Sequence, residues 1–326
     1  MIGAHHSEDR NRGRLLIALR WLAAAAVIGV LLRFLPLHLL AEAIRRVPAT
    51  TFLAILLGYL SAHAVGIAKW RMVVNAAGAQ LDFRTSAQCY AGGLFGTLFL
   101  PSIIGGDVVR LAVGLRRSPN PAAVLAGNVA DRFMDVAAQG GLVLVGLLLL
   151  PGALPASLRG QAQKALIYLG AAFTLLIFMV LLVYRPLLAG RSFHFRRRIA
   201  RLRHALRSVS GAPHVLLGSW LMGTAIQTAF LVLTAKLAET CGLVLPLRDW
   251  FIAWPLAKLA AVLPLTQGGI GVREAALVGL LSPFGAAPHL VLAAGLVWEA
   301  VVITGGVLSG LVAFLLGREK FAHPSR

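Results

Sequence analysis

Acidic side chains are scarce in this sequence, with 12 Asp and Glu against 31 Lys and Arg in 326 residues. All charged residues together make up 13%, about half the share found in an ordinary soluble domain. That is too little charge to solvate a globular surface, and a soluble fold is excluded. Cysteine is nearly absent. Cys89 and Cys241 fall in or beside apolar stretches without metal-ligand spacing, and they say nothing about disulfides, metals or redox chemistry. There is no Walker motif, no HExxH and no Ser/His/Asp set, so neither hydrolysis nor work driven by ATP is expected, and no cofactor or metal is called for.

What fills the chain is apolar: 58% of the residues are hydrophobic and the mean hydropathy is +0.81, the composition of an integral membrane protein. The net charge of +19 would suggest nucleic acid in a soluble chain. Here the basic residues sit in short loops between apolar runs, no basic region is large enough for a soluble module, and nucleic acid is not an expected partner. Six runs reach the roughly 20 residues needed to cross a bilayer: 15–35, 51–68, 122–150, 165–184, 213–237 and 288–316. The first superficially resembles a signal peptide, but Arg20 interrupts it and further spans follow, so it is read as a retained helix. Two more apolar segments, 87–115 and 249–282, are broken near the middle by Leu-Pro and then Gly-Gly. Each is either one interrupted helix or two half-helices that dip in and return.

Charge decides between these. The loop 185–211 carries eight arginines, from Arg185 to Arg207, and is cytoplasmic by the positive-inside rule. Lys69, Arg71 and Arg84 mark the loop before the first broken segment in the same way. Between these loops lie two unbroken spans, so the broken segment must cross an even number of times and is predicted to be a re-entrant hairpin. The same parity, carried to the basic C-terminus, makes 249–282 a hairpin from the outside, and places both termini in the cytoplasm. Only Arg33, Arg45, Arg46, Arg159, Lys164 and Arg248 then lie in outside loops.

The breaks also match each other. Residues 100–110 read LPSIIGGDVVR and residues 263–273 read LPLTQGGIGVR, a shared LPxxxGGxxVR offset by 163 residues, half the chain. Each half holds an odd number of full spans, which predicts two inverted repeats, 1–163 and 164–326. The expected fold is therefore an all-α polytopic membrane protein of six full transmembrane helices and two re-entrant hairpins. Paired broken segments in inverted halves point to a transporter whose site lies near the midplane.

Irregular backbone at membrane depth is tolerated only inside protein or beside a watery cavity. A half-helix that starts after Gly-Gly aims unpaired N–H groups and a positive dipole end inward, where anions are favoured. Arg110 and Arg273 are expected within about the first turn, the wrong end of the dipole for a cation. An anion must compensate them: a ligand phosphate, which suits a planar guanidinium, or the local carboxylates Asp107 and Glu274. Asp107 also stands where an aspartate caps a helix. In the span 122–150, Asn128, Asp131 and Asp135 share one face, with Arg132 beside them, and Glu299 lies in the last span. These charges either mark a pathway, with Asp131, Asp135 and Glu299 open to proton coupling, or pair with one another. His63, Lys236 and Lys258 are weaker candidates, since a lysine near a span end can snorkel to the interface.

Through LPSIIGGDVVR, the Asp131-Arg132 pair and LPLTQGGIGVREAALVGLL, residues 15 to 316 resemble the flippase-like family, the membrane region of lysylphosphatidylglycerol synthases. Stand-alone relatives include members associated with hopanoid biosynthesis. The resemblance implies a protein of the bacterial inner membrane that moves a lipid between leaflets, with an anionic phospholipid, its aminoacylated form, a polyprenyl phosphate or a related lipid as the partner. It also implies substrate-binding roles for Gly105, Gly106, Asp107, Arg110, Arg132, Gly268, Gly269, Gly271, Arg273 and Glu274. The synthases carry a soluble catalytic domain after this region. The present sequence ends at Arg326, so no aminoacyl transfer and no enzymatic turnover is expected. A different class stays open: a non-transporting scaffold that docks lipid-synthesis enzymes through the basic stretch 191–207.

Overall fold

The computed structural model describes residues 37–100, 105–149, 160, 193–262, 266 and 269–322. Among these there are ten α-helices, one 3₁₀ turn and no strand. The helices are α1 (Leu37–Arg45), α2 (Ala49–Ala76), α3 (Phe83–Thr97), α4 (Gly105–Arg117) and α5 (Pro121–Leu149), then α6 (Phe193–Ser210), α7 (Pro213–Thr240), α8 (Leu247–Ala260), α9 (Val272–Leu281) and α10 (Pro288–Ala322). Local chemistry sets many of their ends. Asp82 accepts the Thr85 N–H at the start of α3, Pro213 opens α7 where no N–H partner is needed, and Gly285, at φ 82°, turns the chain into α10.

Helices α2, α7 and residues Pro288–Gly317 of α10 are long and apolar enough to cross a membrane, and they coincide with the expected spans 51–68, 213–237 and 288–316. The expected span 122–150 lies in α5, 29 residues long, or about 43 Å of helix. The spans 15–35 and 165–184 lie outside the described residues. The protein is an α-helical membrane protein.

Each broken segment is two helices packed on one another, α3 on α4 and α8 on α9. In the first pair the run is antiparallel, because Gly106 lies against Gly93 and Thr97, Gly93 against Arg110, and Gly114 against Cys89. A Cβ on Gly106 would fall 2.4 Å from the Gly93 carbonyl oxygen, so this glycine is needed for the close crossing of α3 and α4.

The element order repeats. Shifted by 163 residues, α2 covers 212–239, beside Pro213–Thr240; α3 covers 246–260, beside Leu247–Ala260; and α1 falls inside α6. Partners exchange in the same way: α3 packs on α10 as α8 packs on α5, α10 on α1 as α5 on α6, while α2 and α7 pack on each other. Two buried cores result, one around Trp250, Trp254 and Trp298, the other around Trp70, Val73 and Val124.

The crossing of α5 over α2 is the closest backbone approach between them. A Cβ on Gly127 would lie 2.5 Å from Val74 Cα. Gly127→Ala is expected to destabilise the fold by about 1–3 kcal/mol through overpacking, read as a lowered thermal midpoint in detergent. An unchanged midpoint would contradict this contact.

Candidate functional site

Between the two broken segments lies a cavity of about 310 Å³, walled by residues of α2 to α5 and of α7 to α10. Its charged side chains form two groups. In the first, Lys69 of α2 places Nζ 2.7 Å from Asp131 Oδ1 and 2.7 Å from Asp135 Oδ1. Arg132 donates to Asp107 Oδ1 at 2.6 Å and to Asp135 Oδ2 at 3.1 Å. Arg110 completes the group at longer range, 3.6 Å from Asp107 and 3.8 Å from Asp131. Three cations meet three carboxylates. In the second group, Arg273 Nη2 donates to Glu274 Oε1 at 2.6 Å and to Glu299 Oε2 at 2.8 Å. Burial makes this pairing obligatory, since Lys69 is 3% exposed and Asp131 1%, and an unpaired charge at such a site is costly.

Sequence periodicity places these groups correctly. Asn128, Asp131 and Asp135 do share the face of α5 that meets α2, with Asn128 accepting from Trp70 Nε1 at 3.0 Å. Asp107 spends its carboxylate on Arg132 rather than on Arg110. Arg110 is the sixth residue of α4 and stands in its second turn, not the first. It stacks on the Tyr90 ring at 4.3 Å, and its Nε and Nη1 have no hydrogen-bond partner among the described residues. Arg273 does fall in the first turn of α9. The positive-φ glycines Gly269 (φ 81°) and Gly271 (φ 85°) shape that helix start, and Glu274 accepts the Gly271 N–H at 2.7 Å. Gly106, Asp107, Arg110, Arg132 and Arg273 line the cavity, as do Asp131, Asp135 and Glu299; Gly105, Gly269, Gly271 and Glu274 lie outside its lining. Gly268 is outside the described residues.

Two lysines depart from expectation. Lys69 is not a loop charge marking the cytoplasmic side: α2 runs on to Ala76 and buries it against α5. Arg71 also lies within α2, where it donates to the Leu81 carbonyl, and Arg84 lies in the first turn of α3, so the three charges expected in one loop stand on two helix ends. The face Tyr59, Ala62, Gly66, Trp70 and Val73, all buried at helical spacing, carries the helix past the end of the apolar run and is the signal that would have found Lys69. Lys258 does not snorkel to an interface. It lines the cavity, donating to Gln227 Oε1 at 2.7 Å and sitting 5.0 Å from the Phe230 ring centre. Lys236 is exposed and pairs with Glu239. His63 packs among Tyr59, Tyr90 and Phe230 as part of the cavity's aromatic wall, which no motif announced.

A search of the curated proteins finds no match to the chain. The family model described as the lysylphosphatidylglycerol synthase TM region matches residues 15–310, both broken segments and the whole cavity wall included. The chain belongs to the lysylphosphatidylglycerol synthase transmembrane-region family.

Proposed function

We propose that the protein moves a phosphate-bearing lipid between the leaflets of a bacterial inner membrane, without chemical turnover. The headgroup passes through the cavity between the broken segments while the acyl chains stay in lipid, and the two halves act as inverted repeats about this site. One observation carries the reading: a cavity built jointly by both broken segments, rich in cations and lined by aromatic rings. Such a site offers a phosphate charge-assisted hydrogen bonds that bulk lipid cannot. Arg132 and Arg273 are held in place by carboxylates, so they shape the field of the site, whereas Arg110 keeps donors in hand. The matched family supports a lipid as the partner.

The test is reconstitution into vesicles that contain headgroup-labelled phosphatidylglycerol, with translocation read as the fraction of label reachable by a membrane-impermeant quencher. Wild-type protein is expected to expose inner-leaflet label well above protein-free vesicles. Equal exposure with folded protein would reject transport and favour a scaffold.

A further inference from the structure

Lys258 was left aside by every motif, yet its surroundings differ from those of each other cation in the cavity. Lys69, Arg132 and Arg273 each hold two carboxylates at hydrogen-bond distance. Lys258 has no carboxylate within 4 Å among the described residues; its partner is a neutral amide oxygen, that of Gln227. Gln227 is itself buried, and with its oxygen engaged by Lys258 the N–H donors of its amide remain for another acceptor. Across the cavity wall, from the other half of the chain, Arg110 is 95% buried and has two nitrogens without a hydrogen-bond partner. Every one of these groups donates. A partly buried cation with only a neutral partner and a buried guanidinium whose carboxylates stand off at 3.6 and 3.8 Å, both lining one cavity, leave N–H donors that an anionic acceptor would satisfy.

Resting on the transport reading above, we infer that Lys258, Gln227 and Arg110 form the subsite that holds a phosphate monoanion in the cavity. Arg132 and Arg273 are positioning residues, already neutralised by their carboxylates. The subsite draws on α4 and α7–α8, so a phosphate bound there bridges the two halves of the chain. Its source is either a lipid headgroup or free phosphate, since the recognising groups touch only the anion. The aromatic neighbours Tyr90 and Phe230 hold the cations' apolar flanks and keep water from competing for them.

Trp254 and Trp298 also line the cavity and report its occupancy by fluorescence. Intact protein in detergent is titrated with dioctanoyl phosphatidylglycerol, with inorganic phosphate, and with dioctanoylglycerol, which has the chains but no phosphate. Wild type is expected to bind the phospholipid saturably, with phosphate competing and dioctanoylglycerol inert. Lys258→Met is expected to weaken binding about tenfold, a change equivalent to loss of one charge-assisted hydrogen bond, with the thermal midpoint kept, and Lys258→Arg to restore most of it. Should Lys258→Met not fold, Lys258→Gln takes its place. Equal affinity in wild type and the charge-removed variant, binding of dioctanoylglycerol as tight as the phospholipid, or no response of wild type to either phosphate compound overturns the subsite. Lys258-dependent binding of phosphate without binding of the phospholipid supports the subsite and instead rejects the lipid-transport reading.

Discussion

Lys69→Ala is expected to cost the protein a large share of its stability. The lysine is the shared partner of Asp131 and Asp135, 2.7 Å from each, at a site where it is 3% exposed. Its removal leaves two carboxylates one turn apart on the same helix face, with Arg110 3.8 Å from one and Arg132 3.1 Å from the other as the remaining compensation. Breaking a buried pair from one side costs about 3–5 kcal/mol, a large share of the roughly 5–15 kcal/mol that holds a typical fold together. The measurement is the monodisperse fraction after detergent extraction and the thermal midpoint of what survives. Lys69→Met combined with Asp131→Asn removes a charge of each sign and is expected to recover much of the loss. A Lys69→Ala protein as stable as wild type would show that the buried network is not holding α2 to α5.

Arg110→Gln is expected to do the opposite, leaving the fold and removing transport. Its ion pairs are long, at 3.6 and 3.8 Å, and the carboxylates it approaches have nearer partners: Asp107 keeps Arg132, and Asp131 keeps Lys69. No carboxylate is stranded by the substitution. What disappears is a buried guanidinium with idle donors in the cavity. Loss of a charged donor to a buried phosphate costs about 2–5 kcal/mol, so headgroup translocation in reconstituted vesicles is expected to fall by about 30-fold or more, close to the protein-free background. The thermal midpoint should move little. Transport at the wild-type rate in Arg110→Gln vesicles would remove Arg110 from the pathway. The two substitutions together separate charges that hold helices from charges that meet a ligand, a distinction that burial alone does not make.

Much of this architecture is legible in one dimension. The spans at α2, α7 and α10 follow from apolar length, because helix is what satisfies backbone hydrogen bonds in lipid. LPxxxGGxxVR at 100–110 and 263–273 begins just after α3 and α8 end, and the bounds of α2 and α3 fall within a residue or so of those of α7 and α8 at the same offset of 163 residues. The face of α5 that carries Asn128, Asp131 and Asp135 follows from helical period. Lys69 shows where such reading stops. A hydropathy window ends at the first charge, so a buried lysine at the end of an apolar run looks like the start of a loop until its partners on α5 are known. Lys258 fails for the same reason, from the other half of the chain.

The sequence by itself determined the class of protein, the places where its helices break, and the residue types gathered at those breaks. Local rules decide these: apolar length, the missing N–H of proline, the free φ of glycine, and helical period. Only the tertiary structure decided which charges cancel. Asp107 chose Arg132 from α5 over the neighbouring Arg110, and Glu299 came from α10 to share Arg273. Coulomb pairing depends on distances between helices far apart in the chain, and those distances arise from packing. The leftover donors of Arg110 and Lys258, and with them the place for a phosphate, exist only once that packing is in place.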